Sequence, residues 1–329
     1  MRAQKLKNIC GNVVALSNTP IPFIPGIQTP SFFARALNKF RIPHDAASIN
    51  GRLKKISRGN IMFDIIWIEK STMLRSDTIR ALRAAFPRSC LISLSEDDMY
   101  ALHNRSRYYE DCLPLYDIVF TTKIYNLDEL MELGAKRTEF FLDSYDEASH
   151  RPLTEYYSIE RKDIDVCFVG TYEIERATTI RWLGSKGIRV VVFGNGWESL
   201  RKVQTNIEIQ NRPVFGEEYA EIINRAKINL GFLRKINRDQ VTSRTMEITG
   251  AGGFLLAERT ARHVELFQEG VEADFFSSDE ELLEKIKMYL RTPEAILSIG
   301  RAARQRCLRS GYGMTEQIKF FLDRAIAIF

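Results

Sequence analysis

Asp239 and Glu247 stand in the stretch DQVTSRTMEITGAGGFLLAE (239–258), with seven residues between them and a glycine cluster, Gly250, Gly252 and Gly253, after the second. Thr242 or Ser243 is the right residue type to cap a short helix that carries Glu247 and ends near Gly250, which leaves Asp239 in the loop ahead of it. A loop carboxylate and a helix carboxylate turned to one side can each accept hydrogen bonds from paired hydroxyls, such as those of a sugar ring or a ribose. A plainer reading of the same residues makes Asp239 a surface acid and pairs Glu247 with Arg244 at i−3.

Other residues suit an anion. Gly170-Thr171-Tyr172 and Gly194-Asn195-Gly196-Trp197 each follow an apolar run, and Gly252-Gly253 precedes one. Glycine lets backbone approach a ligand closely, and a helix that starts after such a turn offers unpaired N–H groups. Arg176 and Arg244 lie near these turns and supply positive charge, and Thr245 lies beside Arg244. GNGW is only GxG, and a tight strand-to-helix turn explains it equally well. In the first half, Glu96, Asp97 and Asp98 follow CLISLS, and Glu69 ends FDIIWIE. Each can bind acceptor hydroxyls or act as a base, and Glu96 with Asp98 can also hold a divalent metal for a nucleotide sugar; solvated loop acids are the bland alternative. Asp163-Ile164-Asp165 has the Asp-x-Asp spelling but enters an apolar run instead of leaving one. His44, His103, His150 and His263 show no ligand spacing and read as structural.

These residues need elements to position them. NVVALS (12–17), FDIIWIE (63–69), CLISLS (90–95), DIVFTT (117–122) and TEFFL (138–142) read as strands. Continuous apolar runs of this kind suit a parallel sheet covered on both faces. A proline-rich segment, 19–30, follows the first run, and Ser31 is placed to cap a helix carrying Phe32, Phe33, Ala36, Leu37 and Phe40. Asn126 with Glu129 resembles a capping box, and Gly134 closes that helix. Residues 143–163 are polar and without period, which predicts an inter-domain connection. A second strand–helix series follows: strands at 165–170, 189–194, 228–232 and 253–257, with helices over 176–187, around Tyr219–Ala226, around Leu282–Leu290, around Ile296–Cys307, and from Ile318 to Phe329. Two such series predict an α/β fold of two Rossmann-like, doubly wound domains facing across a cleft. The expected division is 1–150 for an acceptor-side domain and 151–312 for a nucleotide-sugar domain. A terminal helix, 313–329, would pack back towards the first, burying Phe321, Leu322, Ile326 and Phe329.

The bulk numbers narrow the class. The chain has 329 residues, 45% hydrophobic and 27% charged, with a formal net charge of +5. That length favours two domains. The mild positive charge suits a phosphate-handling protein or a peripheral membrane contact, and without a Lys/Arg block interleaved with aromatics it does not point to nucleic acid. Five scattered cysteines without a CxxC pair argue against zinc and a disulfide framework, and for a reducing compartment. With no convincing signal peptide and no bilayer-length apolar run, the expectation is a cytoplasmic protein.

From YDIVFTTK to SIGRAARQRCLRSGY, over roughly residues 114–313, the chain resembles the group 1 glycosyltransferases of the GT-B fold, in particular the CgeB-like family. DVCFVGTYEIERA, VVVFGNGW, AKINLGF, SRTMEITGAGGFLLAE and VELFQEGVEADFF carry the resemblance in order. It implies a nucleotide-diphosphate sugar as donor substrate, a saccharide or glycoconjugate acceptor, no cofactor and no metal. In that group a Glu–seven residues–Glu motif contacts the donor, the first acid at the transferred sugar and the second at the ribose. Asp239 and Glu247 match those positions, with Asp in place of the first Glu. The glycine turns and Arg176 would lie around the diphosphate, and the wider group implies a retaining reaction. The first fifty residues depart from the family's usual strand and glycine-rich turn. A catalytically inactive nucleotide-sugar-binding module is the non-enzymatic alternative.

Overall fold

A computed structural model describes residues 2–18, 37, 39–153, 158–200 and 206–328. The proline-rich segment and most of the helix expected after Ser31 lie outside the described residues, as does Phe329. Two compact units divide the chain: Met1–Leu142 with Ile318–Phe329, and Asp143–Gln317. The division therefore falls ahead of residue 150. Tyr145 explains this: its N–H donates to the Tyr312 carbonyl at 3.3 Å and its carbonyl accepts from Met314 at 2.9 Å, which ties the expected connection into the second unit.

The first unit opens with a helix, α1 (Arg2–Ile9), and a second, α2 (Ile49–Ile56). Its sheet is β1 (Ile65–Glu69), β2 (Cys90–Ser95), β3 (Ile118–Thr121) and β4 (Thr138–Phe140), parallel and in sequential order. All six residues of β2 are buried, as a continuous apolar run in a two-sided sheet requires. Leu91 and Val119 pack on one face among the helices α3 (Ser76–Ala85) and α4 (Arg107–Cys112). Ile92, Leu94 and Phe120 pack on the other with Phe321 from the last helix. Phe321 meets Trp67, Phe120 and Phe141 edge to face, at 5.0, 4.8 and 5.0 Å between centroids. Ile326, expected to be buried with it, is 60% exposed.

Two sequence expectations fail here. Residues 12–17 form no strand; Val14 is 52% exposed, so the apolar run is not a sheet core. Asn126 does not cap α5 (Asn126–Glu132) but sits inside its first turn, where its amide donates to Glu129 at 2.7 Å and to Asp98 at 2.9 Å. Gly134 does end that segment, at φ 103°.

The second unit holds β5 (Ile164–Val169), α6 (Ile174–Ser185), β6 (Val190–Phe193), β7 (Ile207–Ile209), α7 (Gly216–Arg225), β8 (Ala226–Gly231), α8 (Ser243–Gly250), β9 (Leu255–Glu258), α9 (Ala261–Leu266), β10 (Asp274–Phe276), α10 (Asp279–Arg291) and α11 (Pro293–Arg309). The last helix, α12 (Met314–Ile326), begins in this unit and ends in the first. Its six parallel strands run in the order β10-β9-β8-β5-β6-β7. That is the doubly wound order, with the chain reversing direction across the sheet between β5 and β8. A ligand site in such a sheet lies beyond the carboxyl ends of the strands at that reversal.

Candidate functional site

The carboxyl end of β5 leads through Gly170-Thr171-Tyr172 into α6, whose first buried side chain is Arg176. Arg176 is 8% exposed, and its guanidinium lies over the Phe168 ring at 5.8 Å. Nη1 donates to the Thr171 carbonyl at 3.3 Å, while Nε has no hydrogen-bond partner among the described residues and stands 3.6 Å from Oε2 of Glu173. Burial pulls its pKa below the ordinary arginine value, against Glu173, Glu258 and Asp239, which favour the charge, and with Arg234, which opposes it. A buried cation with an unmet donor is costly unless an anion completes it.

The other side of the reversal is β8 and the loop after it. Asp239 is buried there, accepts from the Asn237 amide at 2.9 Å, and acts electrostatically on Arg176. Arg234 donates to Glu173 at 2.8 Å, so β8's loop and the start of α6 are joined beside the same guanidinium. Glu258, at the end of β9, takes the Leu233 N–H at 3.2 Å; burial raises its carboxyl pKa against the pull of Lys235 and Arg176. Glu258 closes the stretch SRTMEITGAGGFLLAE, but sequence reasoning did not single it out as a site residue.

Glu247 lies on α8 with a mostly buried side chain, ion-paired to Arg244. The plainer pairing of these two residues is thus the one formed. Arg244 stacks over the Tyr219 ring at 4.5 Å, and its pKa is raised by Tyr219 and Glu247 in spite of burial. His150 meets Tyr219 edge to face at 5.4 Å and accepts the Asp146 N–H at 3.1 Å. Burial lowers its pKa, opposed by the charges of Glu247 and Asp146. Neither Thr242 nor Ser243 makes a side-chain cap; Thr242 is the N-cap by backbone alone.

Several residues expected at a donor face inward. Trp197 is fully buried, and its indole N–H donates to the Gly170 carbonyl at 2.9 Å. The Tyr172 N–H donates to the Asn195 carbonyl at 2.9 Å, so the two glycine turns are stitched to one another. Gly194, at φ 138°, leaves no room for a side chain against the Gly170 carbonyl, and Gly196 holds φ 86°. Thr245 is buried with its hydroxyl 2.9 Å from His263 Nε2. His263 Nδ1 lies 2.8 Å from the Glu258 carbonyl, which can only accept, so Nε2 takes the Thr245 proton. Gly252 is pressed by Gly300 of α11 and by Pro152, and Gly253 by Ile223, Asn229 and Ile248. The glycines after Glu247 let backbones approach; they do not line an opening.

In the first unit the acids after the strands are already matched. Arg2 donates to Glu69 at 2.9 Å and to Glu96 at 2.6 Å. Asp97 pairs with Lys70. Asp98 is fully buried and accepts from the Tyr100 and Ala101 N–H groups at 3.2 and 3.3 Å. Glu96 and Asp98 are thus engaged separately, and the metal reading has no assembled pair there. Asp163 and Asp165 are likewise paired, to Arg225 at 2.5 Å and Lys227 at 2.6 Å. A recess of about 380 Å³ opens between residues 149–153 and the start of α7, but Glu217, Glu218 and Glu221 line it against Arg151, and the excess of carboxylates disfavours an anion.

Residues 176–323 match the family model described as "Glycosyl transferase-like". Over that stretch the chain is similar to a glycosyltransferase domain. The fold agrees over nearly its whole length. Sucrose-phosphate synthase of Thermosynechococcus elongatus superposes with a TM-score of 0.62 at 12% identity, over 96% of this chain and 84% of that one. Anabaena HepE, solved in complex with UDP, gives 0.58 at 11% identity, over 88% and 84%. A trehalose-6-phosphate synthase studied for glycosyl transfer with retention gives 0.61 at 13%, over 91% and 84%. This is the GT-B architecture of two Rossmann-like domains. No curated protein sequence matches the chain. Among the described residues, no helix is long and apolar enough to cross a membrane.

Proposed function

We propose that the protein moves a sugar from a nucleotide-diphosphate sugar to a hydroxyl of a saccharide or glycoconjugate, without bound metal or cofactor and with retention at the anomeric carbon. The observation that carries this reading is Arg176: a buried guanidinium with an unmet donor at the topological reversal of the sheet. An acceptor oxygen bonds the anomeric carbon as the bond to phosphate breaks. The diphosphate leaves with added negative charge, which Arg176 and the N-terminus of α6 stabilise. The departing phosphate oxygen is itself a base for the acceptor proton, so no protein nucleophile is required. Asp239 accepts hydroxyls of the transferred sugar. Glu247 anchors the ribose, with Arg244, Tyr219 and His150 fixing its orientation. The resemblance to the CgeB-like family supports a role in cell-surface or spore polysaccharide synthesis, and a cytoplasmic working place, free or against a membrane surface, belongs to the same reading.

The test is turnover of UDP-, GDP-, ADP-, CDP- and TDP-sugars with and without EDTA. Transfer that survives EDTA, with the anomeric configuration kept, is expected. Activity lost to EDTA and restored by Mn²⁺ or Mg²⁺ would turn the reading towards the metal-dependent alternative. Nucleotide binding with no turnover of any donor would leave only a binding module.

A further inference from the structure

Glu258 occupies a position that its hydrogen bonding does not explain. It ends β9, next to β8 and one strand from the reversal, so its side chain emerges at the same edge of the sheet as Arg176 and the loop of Asp239. One carboxylate oxygen, Oε2, accepts the Leu233 N–H at 3.2 Å. That is the side-chain hydrogen bond Glu258 makes among the described residues. A carboxylate has about four acceptor positions, and capacity left unused in a half-buried group is costly. Its charge is felt by Arg176, and Lys235 and Arg176 act on it in turn. These cations already compensate it, which disfavours a further metal ion, and an anionic phosphate would be repelled. Neutral hydroxyl donors fit what remains.

Asp239 adds a second reason. It is one methylene shorter than the glutamate of the motif it matches, and Asn237 holds its Oδ1 at 2.9 Å. Glu258, a longer side chain on the strand beside β8, acts electrostatically on the same guanidinium. We propose that Glu258 is a second reader of the transferred sugar, accepting hydrogen bonds from its ring hydroxyls where Asp239 falls short. This rests on the nucleotide-sugar reading above.

The full chain is titrated calorimetrically with UDP, GDP, ADP, CDP and TDP, and with the glucose, galactose and N-acetylglucosamine conjugates of the diphosphate that binds best. The same titrations follow on Glu258→Gln, whose amide carbonyl still accepts from Leu233. The expected result is a sugar-conjugate affinity weakened about tenfold, the scale of one charged hydrogen bond. The bare diphosphate, which also reports an intact fold, stays within about twofold of wild type. Equal losses for both ligands mean that Glu258 only braces the Leu233 turn, and no loss for either means that it does not face the sugar; both overturn the proposal. If wild type binds none of the nucleotides, the underlying reading fails, and this proposal with it.

Discussion

The carboxyl edges of the two sheets carry similar residue types in different pairings. The first sheet runs β1-β2-β3-β4 without reversal among the described strands, and the acids at its edge are satisfied by the chain itself: Arg2 on Glu69 and Glu96, Lys70 on Asp97, backbone amides on Asp98. The second sheet reverses between β5 and β8, and there a buried arginine keeps a donor without an acceptor. Acids after a strand mark a site only when nothing nearby neutralises them. Arg2 and Arg176 each keep a buried Nε without an acceptor among the described residues, and strand order marks Arg176, at the reversal, as the one placed for a ligand.

The comparison predicts that damage to the first unit shows as lost stability. Phe321→Ala removes the ring shared by Trp67, Phe120 and Phe141, and should cost about 3–5 kcal/mol in the urea unfolding of that unit, with nucleotide affinity unchanged in the folded fraction. A fall in affinity without a fall in stability would break the contrast.

Behind the second edge, His263 is buried between Thr245 and the Glu258 carbonyl, and burial pushes it down to about 4 from 6.5. The unfolded chain therefore binds the proton that the folded chain refuses, and stability is lost as pH falls from about 6.5 to about 4. Urea midpoints measured across that window should drop, and His263→Gln should flatten the slope. A slope unchanged in the variant would remove His263 as its source. Glu247→Gln should then weaken nucleotide-sugar binding about tenfold with little change in fold, because a charged acceptor for a ribose hydroxyl is lost; unaltered affinity in calorimetry would leave Glu247 as merely the partner of Arg244. Arg2→Ala should change stability least, by about 0–1 kcal/mol, since Glu69 and Glu96 are half-exposed and screened. A larger loss in thermal melts would show that α1 is a structural part of the first edge.

How much was legible in the sequence follows from what each signal measures. Cys90–Ser95 was readable to the residue because a strand buried on both faces is apolar throughout. The strands Ile207–Ile209 and Asp274–Phe276 were missed, being three residues each and carrying acids that mask an apolar run. NVVALS had the composition of a strand without the burial, and composition cannot report what covers a segment. Arg176 and Asp239 are readable as candidates because a turn after a strand and a spacing of acids are local features. Trp197 and Thr245 were placed at a ligand for the same local reasons, yet each has a partner far along the chain, Gly170 and His263, that no local pattern reveals. Asp97 and Asp98 were overvalued in the same way, and Glu258 was overlooked because its importance depends on which strand lies beside β9.

The contrast between the two edges is tested most directly by one calorimetric series with the nucleoside diphosphate that binds wild type best. It is titrated into wild type, Arg176→Ala and Glu96→Gln, with circular dichroism confirming the fold of each. Arg176→Ala should weaken binding about ten- to hundredfold, the scale of a charge-assisted hydrogen bond to phosphate, while Glu96→Gln should bind as wild type does. Full affinity in Arg176→Ala, or a loss confined to Glu96→Gln, would contradict the assignment of the anion to the second sheet.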